Sequence, residues 1–205
     1  AAYGIKKPLI ALHQHNEREA GEAVVRRLQA GERVAYVSDA GTPGVSDPGA
    51  KLVALTQAAG LRVMPIPGAS SVTTLISAMG IDASAEHFDM QGFTFAGFLP
   101  SKGQARAAAL AALAQSPRAV IVLEAPHRLM ALAKELAPWG ARAITVGREL
   151  TKQFETIATL TCGAFSSWLV ADDNRLRGEY VLGIHPLPLA NPVDDDVTSE
   201  GVRVL

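Results

Sequence analysis

The chain has 205 residues, 48% hydrophobic and 19% charged, which suffices for a packed core and excludes global disorder. Aromatics are only 5%, too few for a platform that grips many unstacked bases, and the single Cys162 excludes an intramolecular disulfide framework and fits a reducing cytoplasm. The net charge of −1 divides into −1 for residues 1–90, +3 for 91–190 and −3 for 191–205, a weak footprint for a polyanionic partner, and no run approaches membrane-spanning length.

After an apolar run at Lys7–Leu12, residues 16–31 read as a helix, with Asn16 as N-cap, Glu19 three residues on as in a capping box, and Gly31 just past the end. Arg33–Val37 reads as a strand. Ser38–Gly49 is a glycine-rich turn, and Asp47 is expected to cap a helix with Pro48 at its first position, running to Gly60. Arg62–Ile66 reads as a second strand, Pro67–Ser71 as its exit, and a third helix ends near Gly80. Such alternation implies right-handed crossovers and a parallel sheet.

The pattern changes after residue 80. Strands are expected at Gln91–Leu99, Ala119–Glu124, Arg142–Arg148, Thr156–Thr161 and Glu179–Ile184; helices are expected at Gly103–Gln115, Pro126–Ala137 and Ala164–Val170. More strands per helix point to a mixed, partly antiparallel sheet. The expected organisation is therefore a two-domain α/β protein: a parallel-sheet N-terminal domain over 1–88, truncated at its start, a mixed-sheet C-terminal domain over 89–190, and a flexible acidic tail over 191–205.

The turn after the first expected strand carries two carboxylates, Asp39 and Asp47, and no Lys or Arg. A phosphate cradle would be expected to carry a cation. The loop suits instead a ligand with hydroxyls, an amine or a positive centre, and Gly41 and Gly44 permit close backbone approach. Pro67-Gly68-Ala69-Ser70-Ser71 leaves the neighbouring strand at the same edge and supplies a second wall of one crevice. Glu124, His127 and Arg128 form a dense polar set at a strand end, and Lys102, Arg106, Arg148 and Lys152 fall at loop ends where phosphates could meet them. His13 and His15 lack the further ligands that a metal needs, so no metal site is expected.

Together these segments resemble one family, the tetrapyrrole-methylase-like (class III) S-adenosylmethionine methyltransferases. The stretches that carry the resemblance are His15-Asn16-Glu17, Val37–Pro43 with Ser46–Gly49, Pro67–Ser70, Gly97–Pro100 with Lys102, Glu124–Arg128, Arg148–Lys152 with Glu155-Thr156, and Arg177-Gly178-Glu179. Within the family the match is best to the branch that methylates the ribose 2′-oxygen of a cytidine in 16S ribosomal RNA. The resemblance implies S-adenosylmethionine as cofactor, the small ribosomal subunit as partner, and a homodimer. It implies a cofactor site at Asp39, Ala40, Gly41, Thr42, Pro43, Gly68, Ala69, Ser70, Ser71, Glu124, Ala125, Gly178 and Tyr180. RNA contacts are expected from Lys102, Arg106, Arg128, Arg148 and Lys152. Lys102, Glu149, Lys152 and His127 are all candidates for removing a proton or polarising the acceptor hydroxyl.

Two departures from the family pattern accompany the match. The opening strand with its Gly/Pro-rich turn and the acidic motif after it has no counterpart, and neither has a helical C-terminal extension. The chain is therefore expected to be a piece of the family fold that lacks part of the cleft. A sister methylase acting on a tetrapyrrole or a modified protein side chain, and a non-catalytic nucleotide- or RNA-binding module, stay open as alternatives.

Overall fold

The computed structural model describes residues 4, 6–13, 15–39, 41–81 and 92–187. Ala40, the expected domain boundary at residues 88 and 89 and the expected tail at 191–205 lie outside the described residues. The elements are helices α1 (Glu17–Gln29), α2 (Ala50–Ala58) and α3 (Ser71–Ala78), strand β1 (Phe93–Phe98), α4 (Gly103–Ala114), β2 (Ala119–Glu124), α5 (Leu129–Leu136), β3 (Ala143–Arg148), β4 (Thr156–Thr161), α6 (Phe165–Val170) and β5 (Tyr180–Ile184).

The five strands form one mixed sheet in the order β1-β2-β5-β3-β4. β1 and β2 are parallel, and β5 lies antiparallel between β2 and β3. The sequence already shows which strands are central. Ala119-Val120-Ile121-Val122-Leu123 and Tyr180–Ile184 are continuous apolar runs and are buried along nearly their whole length. Thr156–Thr161 alternates half-buried and exposed residues, as an edge strand does.

The period-two alternation of the central strands divides the core into two layers. Val120, Val122, Ile144, Val146, Leu182 and Ile184 face α5 and α6, where Leu129, Leu132, Leu136, Phe165 and Leu169 are fully or almost fully buried. Ala119, Ile121 and Val181 face α3 through Val72, Leu75 and Met79. Glycine at 147 lets α3 approach closely: a Cβ there would lie 2.9 Å from Leu75 Cδ1. Arg142, 4% exposed, ties the sheet to α4 by donating to the carbonyls of Leu113 and Ala114 at 3.1 and 2.9 Å. These carbonyls are among the last of the helix and its cap region, which lack partners within the helix.

Three expectations are corrected. Arg33–Val37 and Arg62–Ile66 enter no strand ladder among the described residues, and Val37 and Ile66 are 77% and 73% exposed. A strand needs a partner to take its backbone N–H and C=O groups, which an apolar run alone does not supply. No parallel sheet is therefore present in the described part of the first 81 residues. Asp47 does not cap α2. The helix starts at Ala50 with Gly49 as its cap residue, and the Glu17 carboxylate from α1 accepts from Gly49 N at 2.8 Å and Lys51 N at 3.1 Å. These two amides, Gly49 first, hold Glu17 below the usual carboxylate range. Asn16 does not cap α1 with its side chain: it accepts from His13 N and donates to Ala11 O.

Candidate active site

A cavity of about 410 Å³ opens at the edge where β2 and β3 end and β5 begins. The register makes this convergence: Tyr180 is paired with Glu124 on one side and Arg148 on the other. Over that edge lie the two glycine-containing turns of the first half. Gly41, Thr42, Val45, Ser46 and Asp47 form one wall, and Ala69, Ser70, Ser71 and Val72 form the next. The sheet edge contributes Phe98, Leu123, Glu124, Ala125, Pro126, Leu150, Thr151, Lys152, Glu179, Tyr180 and Val181.

The two turns are joined directly, since Thr42 Oγ1 donates to Ala69 O at 3.1 Å. Gly41 and Gly44 take φ values of +70° and +79°, where L side chains are strained. Three residues other than glycine also have positive φ among the described residues: Ser46 at 60°, Glu149 at 50° and Thr151 at 65°. Ser46 and Thr151 line the cavity and Glu149 directly precedes lining residues. Backbone in this region costs of order 1–3 kcal/mol per residue and persists where surrounding contacts hold it. Here the Glu149 N–H donates to Glu179 O at 2.9 Å, and the Thr151 N–H donates to Glu155 Oε2 at 2.6 Å.

Glu124 is 2% exposed at the floor. Its Oε1 accepts from Ala125 N at 3.0 Å and pairs ionically with Arg128 Nε at 3.0 Å. Its Oε2 has Arg106 Nη1 at 3.6 Å but accepts no hydrogen bond. Arg106 is bound to Glu135 through Nε, at 2.9 and 3.0 Å, and through Nη2 at 2.6 Å, and it donates from Nη1 to Pro100 O at 2.9 Å. A buried carboxylate oxygen that accepts no hydrogen bond is uncommon, and here the Arg106 guanidinium faces it as an ion-pair partner.

Across the cavity, Lys152 Nζ donates to Glu179 Oε2 at 2.9 Å and Glu149 Oε1 at 3.2 Å. The Glu179 contact, then the Glu149 contact, hold Lys152 above its usual value, so it is an ammonium at neutral pH. Glu149 is held below the usual carboxylate range, first by the Glu179 N–H at 2.7 Å and then by Lys152. Tyr180 is 5% exposed and donates its hydroxyl to Arg175 O at 2.5 Å; burial raises its phenol above the usual value. Among the described residues the charged lining is thus Asp47, Glu124 and Glu179 against Lys152.

The family model of Tetrapyrrole (Corrin/Porphyrin) Methylases matches residues 4–165. The chain belongs to the tetrapyrrole methylase family. It is 41% identical over 205 residues to the ribosomal RNA small subunit methyltransferase I of Pseudomonas aeruginosa, covering 99% of this chain and 70% of that protein. Among solved structures, the methyltransferase CobJ is similar with a TM-score of 0.60 and 18% identity, over 90% of this chain and 79% of that one. The uroporphyrin-III C-methyl transferase from Thermus thermophilus, complexed with S-adenyl homocysteine, is similar with a TM-score of 0.53 and 18% identity, over 82% and 73%. These likenesses show a tetrapyrrole methylase fold, in agreement with the α/β class expected from the sequence.

Within this methylase fold the expected site residues fall into three groups. Gly41, Thr42, Ala69, Ser70, Ser71, Glu124, Ala125, Lys152 and Tyr180 line the cavity. Asp39, Pro43, Gly68, Gly178, His127, Glu149 and Arg148 are not among its lining residues. Arg148 Nε donates to Arg177 O at 2.7 Å and its Nη1 to Phe154 O at 3.2 Å. Lys102, Arg106 and Arg128 lie instead around a second, smaller cavity of about 370 Å³ at the start of α4. Arg106, expected to meet a phosphate, is 6% exposed with its guanidinium held by Glu135, Glu124 and Pro100 O. Sequence reasoning singled out neither Phe98 nor Thr151 as a site residue. The signal for Thr151 is its place in Arg148-Glu149-Leu150-Thr151-Lys152, and that for Phe98 is its place in Gly97–Pro100, although its side of the sheet depends on a strand irregularity.

Proposed function

We propose that this chain is an S-adenosylmethionine-dependent methyltransferase of small-subunit ribosomal RNA, acting on the ribose 2′-oxygen of a cytidine in 16S RNA. The observation that carries the reading is the charge of the cavity: three carboxylates and one ammonium surround a space of about 410 Å³. That volume falls in the range of small-molecule sites. Glu124 is paired with Arg106 and Arg128 at the floor, and Asp47 and Glu179 at the walls suit a ligand with a sulfonium and an ammonium. The relative of about 40% identity, named as a small-subunit ribosomal RNA methyltransferase, supports RNA as the acceptor.

The cofactor, when bound, supplies a methyl group activated by its sulfonium. Gly41, Thr42, Ala69 and Ser70 on the two turns, with Glu124 and Tyr180 at the sheet edge, would hold it. Lys152, an ammonium at neutral pH, would hydrogen-bond the acceptor oxygen and stabilise the negative charge that develops as the hydroxyl proton passes to water at the cavity mouth, while the O–CH3 bond forms and the S–CH3 bond breaks. Glu149 and Glu179 position that ammonium. Lys102, exposed at the start of α4, steers a phosphate, while Arg128 is held by Glu124 and the Leu99 carbonyl.

The test is transfer of labelled methyl from S-adenosylmethionine to 30S subunits, with nucleoside digestion and mass analysis of the product. Label in 2′-O-methylcytidine is the expected result. Label on a base, a tetrapyrrole or a protein side chain, with none on ribose, overturns the reading. Calorimetry with S-adenosylhomocysteine tests cofactor binding separately.

A further inference from the structure

We infer that Phe98 is a stacking platform for the nucleobase of the nucleotide being methylated, an inference that rests on the RNA methyltransferase reading above. β1 pairs regularly with β2 from Phe93 to Phe95, and the register then shifts, so that Gly97 faces Val122 and Phe98 faces Leu123. Ala96 is the extra residue of this bulge, and Gly97 adopts φ +64°.

The bulge decides which side of the sheet Phe98 occupies. In an uninterrupted ladder Ala96 would face Val122 and Phe98 would fall level with Glu124, the buried carboxylate that Arg106 and Arg128 hold at the cavity floor. A one-residue shift moves a side chain to the opposite face. Phe98 instead sits level with Leu123, and both line the 410 Å³ cavity. The ring is 54% exposed there, while Leu99 beside it is 5% exposed. An aromatic left half in water at a cavity rim gains buried area only when a ligand covers it.

The backbone that follows the ring is fixed. Arg128 Nη2 donates to Leu99 O at 2.8 Å, and Arg106 Nη1 donates to Pro100 O at 2.9 Å. A planar ring on an anchored backbone loses little freedom on binding, which favours stacking against a flat heteroaromatic. Lys102, four residues on and exposed at the start of α4, supplies a cation for a phosphate of the same RNA strand. Aromatics are too scarce here to hold a run of bases, but one ring suffices for one base drawn from its stack.

The test uses the full chain as wild type, F98A, F98L and F98W, with calorimetry against S-adenosylhomocysteine and steady-state methylation of 30S subunits. Stacking predicts that F98A and F98L each lose about 5- to 150-fold in kcat/KM on subunits, that F98W stays within about threefold of wild type, and that S-adenosylhomocysteine affinity stays within about twofold in all three. F98L keeps apolar bulk without a π face, so its failure to rescue separates stacking from packing. Wild-type kcat/KM in F98A overturns the inference. So does an equal loss of S-adenosylhomocysteine affinity, which would assign the ring to the cofactor's adenine. A wild-type chain that puts no methyl on ribosomal RNA removes the underlying reading as well, and that outcome appears before any substitution is made.

Discussion

The side chain of Glu149 occupies the space that any side chain at Gly178 would need. A Cβ on Gly178 would lie 2.8 Å from Glu149 Cγ and 2.9 Å from its Oε1, and Gly178 stands at φ +97°. The same Oε1 accepts from Glu179 N and Lys152 Nζ. Gly178→Ala is therefore expected to displace the carboxylate that positions Lys152, besides straining the backbone by about 1–3 kcal/mol. The expected outcome is a fall of at least about tenfold in the rate of methyl transfer, with a smaller change in S-adenosylhomocysteine affinity. Single-turnover transfer and calorimetry on the variant check this, and an unchanged rate would show that Lys152 does not need the clamp.

The Lys152–Glu149–Glu179 cluster sets a pH window. Glu149 has a lowered folded value, so its contribution is present above its ordinary value of 4.5 and is lost as pH falls through the lower folded value. Lys152 has a raised folded value, so its contribution is complete below 10.5 and is lost as pH rises through the higher folded value. The stability difference between wild type and Lys152→Gln should therefore be flat from about pH 6 to 9 and shrink toward both extremes. Urea denaturation at a series of pH values measures it. A difference that changes steadily through neutrality would place the titrating group elsewhere.

Much of this arrangement was legible in the sequence, for physical reasons that differ by element. β2 and β4 begin and end at the expected residues, because Ser-Pro and Gly-containing turns punctuate runs whose alternation or continuity states their burial. The ends of α1, α2 and α3 were marked by Gly31, Gly60 and Gly80, all at positive φ. The segments Arg33–Val37 and Arg62–Ile66 failed because a strand depends on a partner and a propensity does not. The first two cavity walls were legible through Gly41 and Pro67–Ser71, which are local features. Phe98 was not, since a bulge reverses its side of the sheet. The closing position of Glu179 depends on β5 inserting between β2 and β3, a pairing that no local pattern states. Arg106, at a loop end, and Arg128, in the expected RNA-contacting set, were expected to meet phosphates, yet the fold gives both of them Glu124, whose burial makes counter-charges necessary.

That shared carboxylate yields a stability prediction. Glu124→Ala leaves Arg128 without its closest carboxylate and Arg106 with Glu135 alone, inside a region where Glu124 itself is 2% exposed. Removing one member of a buried charge network costs about 3–5 kcal/mol. An exposed pair such as Arg18–Glu22, at 3.4 Å, is worth only about 0.3–0.5 kcal/mol. Urea midpoints for Glu124→Ala and Arg18→Ala should differ accordingly. Equal midpoints would mean that the floor of the cavity relaxes and admits water.

Gly41 offers the sharpest separation of binding from folding. Its φ of +70° is strained for any side chain and most of all for a β-branched one, while a Cβ there would meet only Ala69 O, at an ordinary 3.8 Å. Gly41→Val therefore costs about 1–2 kcal/mol through the backbone of an exposed turn, with no clash in the core. The turn lines the cavity together with Thr42, whose bond to Ala69 O joins the two walls. Any relief of the strained φ opens that junction. S-adenosylhomocysteine affinity should fall about tenfold or more, while the second-half core melts cooperatively as before. Gly41→Ala should fall between wild type and Gly41→Val. Unchanged affinity in the valine variant, measured by calorimetry on protein shown to be folded by circular dichroism, would move the cofactor away from this turn.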